Sequence, residues 1–248
     1  MPKSAKTGEI HHKKRNIDIV FCIDGTGSMS PCINVVKKNA VKFKKELSSE
    51  MTYRGDEIDS VRIKVIVFRD YGNDADGAMI ESIFYELPGD DQELTEFVNN
   101  ITAYGGGDAP ENGLESLYYA MKSDFTTGKD DRQIIVLFTD ATAHKIGKFQ
   151  DAEGYPHDMV KDESELVELW SGVNQDKNFK LQQRLKRLVI FAPPVSTSEE
   201  ERHEEGLVEY EDLAKRLNKV WFSPVAMDAG LREITFDRII RLIADSAE

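Results

Sequence analysis

The chain has 248 residues, with 45 Asp and Glu against 32 Lys and Arg, a net charge of −13. That balance argues against a nucleic-acid partner, whose phosphates are neutralised by Lys and Arg. No apolar run approaches the roughly 18 residues of a membrane helix, and Cys22 and Cys32 alone make no disulfide framework. No membrane partner is therefore expected, and a reducing, cytoplasmic setting is.

Residues 1–15 hold Lys3, Lys6, Lys13, Lys14 and Arg15 and read as a disordered basic tail. No apolar stretch follows these residues, as a secretory signal would require. Residues 16–248 read as one domain in which apolar runs and helical patterns alternate. Residues 17–23 form a buried strand. In 28–47, Ile33, Val36, Ala40, Phe43 and Leu47 recur at three- and four-residue steps, the stripe of an amphipathic helix. Strands follow at 61–68 and 80–87, the second an antiparallel edge, then helices at 91–101 and 111–122. Residues 133–139 are almost wholly apolar, as in a central parallel strand covered on both faces. A long polar loop insertion at 141–162 comes next, of a length that is usually functional or disordered. Helices at 163–173, 208–217 and 231–244 alternate with strands at 187–191 and 219–222. An acidic, solvated loop at 196–205 interrupts them. The alternation predicts an α/β fold: a doubly wound, mostly parallel sheet with helices on both faces and one antiparallel edge strand.

In such sheets ligands sit at the carboxyl ends of the strands. Three loops there carry hard oxygen donors. Asp24-Gly-Thr26-Gly-Ser28 follows the first strand, so a carboxylate and two hydroxyls can converge on one side of a turn. Gly105-Gly-Gly-Asp108-Ala-Pro-Glu111 leads into a helix, and Thr139-Asp140 ends the central strand. Carboxylates and hydroxyls suit Mg²⁺ or Mn²⁺, with Ca²⁺ as the alternative. Converging carboxylates without a cation repel one another and raise at least one pKa. Asp108 with Glu111 three residues later also fits a capping box near Pro110, and Thr102 is a second hydroxyl near that loop.

These motifs, in this order, resemble the von Willebrand factor type A domain, and in particular its intracellular bacterial members. The metal-ion-dependent adhesion site of that family has Asp-x-Ser/Thr-x-Ser after the first strand, matched by Asp24, Thr26 and Ser28. Its core-strand Asp is matched by Asp140, while Asp108 stands where the family usually has Thr. The resemblance implies a non-enzymatic module. It would hold a divalent cation on Asp24, Thr26, Ser28, Asp108 and Asp140 and bind a protein partner, whose acidic side chain completes the shell. It also implies an intracellular scaffold or stress-response role, because kinase-associated members carry Asp-x-Thr-Gly-Ser-Met sequences like 24–29. A third carboxylate at 108 is expected to tighten metal binding and to compete with an acidic partner.

The enzyme alternative is a metal-dependent hydrolase or phosphatase using the same acidic cluster. Asp24-Gly-Thr26 is similar to the end of the Asp-x-Asp-Gly-Thr motif of haloacid-dehalogenase-like phosphatases. The nucleophilic carboxylate of that chemistry would stand at position 22, which is Cys. His144, His157, Asp151, Glu153 and Asp158 in the long loop are the other candidates for a second metal site or a hydrolytic apparatus.

Overall fold

Strand β1 (Lys14–Asp24) alternates its side chains between two cores: Ile17, Ile19, Phe21 and Ile23 face one, Val20 and Cys22 the other. The period of two sets this, and it makes β1 a strand covered on both sides. The computed structural model describes residues 14–74, 77–106, 110–175, 178–195, 207–227 and 231–247. The basic tail up to residue 13 and the acidic loop 196–205 lie outside them. Lys14 and Arg15, expected at the end of the tail, instead open β1 and pair with Glu57 and Ile58.

β1 is flanked in parallel by β2 (Glu57–Phe68) and β5 (Arg132–Phe138), followed by β7 (Lys186–Ala192) and β9 (Val220–Pro224). At the far edge β3 (Met79–Glu81) and β4 (Tyr85–Leu87) both run antiparallel to β2. They replace the single edge strand expected over 80–87. The interruption is Ser82, whose hydroxyl accepts the Val65 N–H (2.9 Å) and donates to the Ile83 carbonyl, diverting the ladder.

Helices α1 (Ser30–Asn39), α2 (Phe43–Tyr53), α3 (Asp91–Asn100) and α7 (Phe236–Ala247) cover one face. Helices α4 (Gly113–Met121), α5 (Glu163–Trp170) and α6 (Tyr210–Arg216) cover the other. The helix expected over 28–47 is broken. A 3₁₀ turn at Gly27–Met29 precedes α1, and a second at Ala40–Lys42 joins α1 to α2. The apolar stripe passes through the break unchanged: Ile33, Ala40, Phe43 and Leu47 are all buried.

The long insertion after β5 is ordered. It carries β6 (Ala143–His144), which pairs antiparallel with β8 (Leu207–Val208). Tyr155 returns its hydroxyl to Glu115 on α4 (3.0 Å) and accepts the Gly147 N–H (2.9 Å). Among the described residues no helix is long and apolar enough to cross a membrane.

Candidate metal centre

β1 delivers Asp24 to the carboxyl edge of the sheet with its side chain fully buried. One carboxylate oxygen accepts the Thr26 N–H (2.9 Å) and the Thr26 hydroxyl (2.6 Å); the other accepts the Thr139 hydroxyl (2.8 Å). An Asp that bonds its own backbone two residues on favours a turn, and the chain bends at Thr26 into the 3₁₀ turn Gly27–Met29. The Ser28 hydroxyl donates to Asp140 (2.9 Å), and the Thr26 and Ser28 oxygens lie 3.3 Å apart. Asp24, Thr26, Ser28 and Asp140 thus form one continuous chain of oxygens.

Asp24, Thr26 and Asp140 are buried, whereas Gly27 and Ser28 are exposed and give the group its opening. The Thr26 and Ser28 protons point at the two carboxylates, so hydroxyl lone pairs remain for a further partner. The bonds to Asp24 come from neutral donors. Its pKa is pushed up to about 6, first by burial, with Asp140 adding repulsion and the Thr26 and Thr139 bonds opposing. A buried carboxylate in this state costs on the order of 3 kcal/mol to ionise, which a cation would offset.

The second loop approaches across Gly105 and Gly106, both with positive φ (74° and 73°). A Cβ on Gly106 would fall 2.8 Å from Thr26 Cβ, and one on Gly105 would strike the Asp74 carboxylate. Only glycine permits this approach. Asp108 lies outside the described residues. The carboxylate found across Gly106 from Thr26 is that of Glu111, whose Oε1 is 3.4 Å from the Gly106 Cβ position. Glu111 is buried, and its backbone is stitched to the segment after β5 through Thr142 (3.0 Å) and His144 (3.0 Å). Sequence reasoning saw in Glu111 only a cap for the next helix. Thr102 does not join the group: it is exposed and its hydroxyl turns to the Asn100 carbonyl (3.5 Å).

The hydrolytic candidates stay apart. Cys22 and Cys32 are buried thiols, both pushed up to about 12 by burial, and act as small core residues. His144 is buried against Phe149 and Lys148, His157, Asp151 and Glu153 are on the surface, and Asp158 pairs with Lys122. Among the described residues no three His, Cys, Asp or Glu side chains gather as a metal site. The oxygen chain at Asp24 has two carboxylates, and hydroxyls supply the rest.

The family profile of the von Willebrand factor type A domain matches residues 18–178, from β1 through the insertion after β5. The chain belongs to the von Willebrand factor type A family. Domains of this family are typically non-enzymatic modules for protein–protein interaction. A curated relative, the alpha-protein kinase vwkA of Dictyostelium discoideum, is 27% identical over 142 residues. That match covers 56% of this chain and 21% of the kinase, so the chain spans about a fifth of the relative's length. Two structures of the pilus adhesin SpaC from Lactobacillus rhamnosus GG, one in the open conformation, superpose with TM-scores of 0.51. They are 10% and 11% identical and cover 94% of this chain but 30% of the adhesin. At that identity the likeness concerns the fold alone. It extends past residue 178 to the strands and helices that complete the sheet.

Proposed function

We propose that this domain holds a divalent cation, Mg²⁺ or Mn²⁺ with Ca²⁺ as the alternative, and uses it to bind a protein partner. The observation that carries the reading is the continuous oxygen chain from Asp24 through Thr26 and Ser28 to Asp140, closed inside and open at Ser28. This donor set fits a hard cation: two carboxylates balance its charge and two hydroxyls add neutral oxygens. Asp108 and Glu111 are the second-loop carboxylates of the same site, directly or through water. A cation there would supply an electrophile for an acidic side chain of the partner.

The chain's own residues do the positioning. Thr139 holds Asp24 from behind, and the Asp24 turn aims Thr26. Gly105 and Gly106 let the second loop close on the first. In this reading the chain performs no chemistry itself, and an acidic partner meets a site whose surplus carboxylates restrain its affinity. The relative's name as a protein kinase supports a cytoplasmic scaffold or stress-response role over adhesion.

Thermal unfolding with Mg²⁺ at 100 times its dissociation constant should show about 2.7 kcal/mol of added stability. Asp24→Ala should abolish that increment and keep the fold, and Asp108→Thr should weaken Mg²⁺ binding. Wild-type protein that gains nothing from any divalent ion contradicts the reading.

A further inference from the structure

The two loops that face each other across the oxygen site are held by one side chain that lies in neither. Phe68 pairs with Asp24 across β2 and β1, so the next residue, Arg69, lies beside Gly25. Arg69 is almost wholly buried, at 1% exposure. Its Nε donates to the Gly25 carbonyl (3.1 Å) in the first loop, and one terminal nitrogen to the Thr102 carbonyl (2.7 Å) at the start of the second. The other donates to the Gly77 carbonyl (2.7 Å) before β3. The guanidinium also stacks on the Tyr104 ring, 4.0 Å from its centroid.

The backbone repeats the pattern. The Gly25 carbonyl accepts the Tyr104 N–H (3.1 Å) as well, and the Gly27 N–H donates to the Gly105 carbonyl (3.3 Å). The fit leaves no slack: a Cβ on Gly25 would fall 2.8 Å from Arg69 Cζ, and one on Gly77 would fall 2.0 Å from the Tyr104 hydroxyl. Three acceptors in three directions match a planar fork of donors. A lysine keeps the charge but its compact ammonium cannot span them.

We infer that Arg69 is a positioning residue: it fixes the distance between the first and second loops and so sets which cation the site prefers. This rests on the reading of the oxygen site as a divalent-cation site. Mg²⁺ demands near-ideal octahedral oxygens at about 2.0–2.1 Å, whereas Ca²⁺ accepts six to eight at about 2.3–2.6 Å in flexible arrangements. Loosening the loops therefore penalises Mg²⁺ more than Ca²⁺.

Calorimetric titration of wild type and Arg69→Lys with Mg²⁺ and with Ca²⁺ tests this, with amide exchange at Gly27 and Tyr104 followed in metal-free protein. The Lys variant should lose tenfold or more in Mg²⁺ affinity and less than threefold for Ca²⁺, and both amides should exchange at least tenfold faster. A folded variant with the wild-type Mg²⁺/Ca²⁺ ratio overturns the assignment. If Arg69→Lys does not fold, Tyr104→Ala, which removes only the half-exposed stacking ring, takes its place. It should shift the ratio in the same direction, and an unchanged ratio again overturns the assignment. Wild-type protein that binds neither ion overturns the divalent-site reading and the selectivity with it. An unchanged ratio in protein that binds both ions overturns only the role of Arg69.

Discussion

The two ends of the central sheet bury opposite charges and treat them differently. At the amino end, Arg15, Arg132 and Arg187 start three neighbouring strands and converge on the last turn of α7. Arg15 and Arg132 donate to the Ala247 carbonyl, and Arg187 to that of Ser246 (2.7 Å). Burial, then repulsion from Arg15 and Arg187, pulls the Arg132 guanidinium down to about 10. The compensation is the negative end of the helix, whose terminal carbonyls lack intrahelical partners. At the carboxyl end, Asp24 and Asp140 meet hydroxyls, which leave lone pairs facing an exposed serine. The arginines spend their donors on fixed backbone; the carboxylates reach outward through groups that can still coordinate. Burial of charge thus makes a structural clamp at one end, and at the other leaves hydroxyl oxygens for the cation proposed above.

The sharpest break of this comparison comes through Glu115, which is fully buried on α4 and pushed up to about 7, chiefly by burial. One of its oxygens accepts the Tyr155 hydroxyl, and among the described residues the other has no hydrogen-bond partner. The folded protein keeps this proton up to about pH 7, whereas the unfolded chain releases it near 4.5. Stability from the protonated group is therefore full below pH 4.5 and lost as pH rises through 7. Glu115→Gln should match wild type near pH 4.5 and exceed it by up to about 3 kcal/mol at pH 8, as denaturant unfolding in EDTA will read. A pH-independent difference would mean that Glu115 ionises freely in the fold.

A smaller effect is expected at the other end. Arg187→Met strips donors from the Ser246, Arg184 and Lys186 carbonyls and should cost about 2 kcal/mol. The increment on adding Mg²⁺ should be unchanged, because these arginines clamp α7 at the end of the sheet opposite the oxygen chain. A loss of the increment would mean that the two ends are coupled.

Legibility followed the same division. The first strand was readable as an apolar run ending in an acid. The turn after it and Asp140, which a strand end and helix cap would also explain, prove to share one hydrogen-bonded group of Asp24, Thr26, Ser28 and Asp140. The doubly wound fold followed from alternation, and the break between α1 and α2 was hidden because 3₁₀ and α turns carry the same apolar stripe. Arg69 and Glu111 were not readable as neighbours of these loops. The partners of Arg69 are the carbonyls of Gly25, Gly77 and Thr102, which leave no trace in residue identity. Glu111 carries the spacing of a helix cap, whereas its backbone pairs with Thr142 and His144 and its carboxylate lies against Gly106. The insertion after β5 reads in the sequence only as a long polar loop, functional or disordered, because its order comes from distant contacts, Tyr155 with Glu115 and β6 with β8.

A crystal of the protein grown with Mn²⁺, with data collected at the manganese absorption edge, tests the central claim most directly. One anomalous peak is predicted between the Thr26 and Ser28 hydroxyl oxygens, roughly 2.1–2.2 Å from each, with the carboxylates of Asp24 and Asp140 around it. No peak there, or a strong peak only elsewhere on the molecule, would contradict the account.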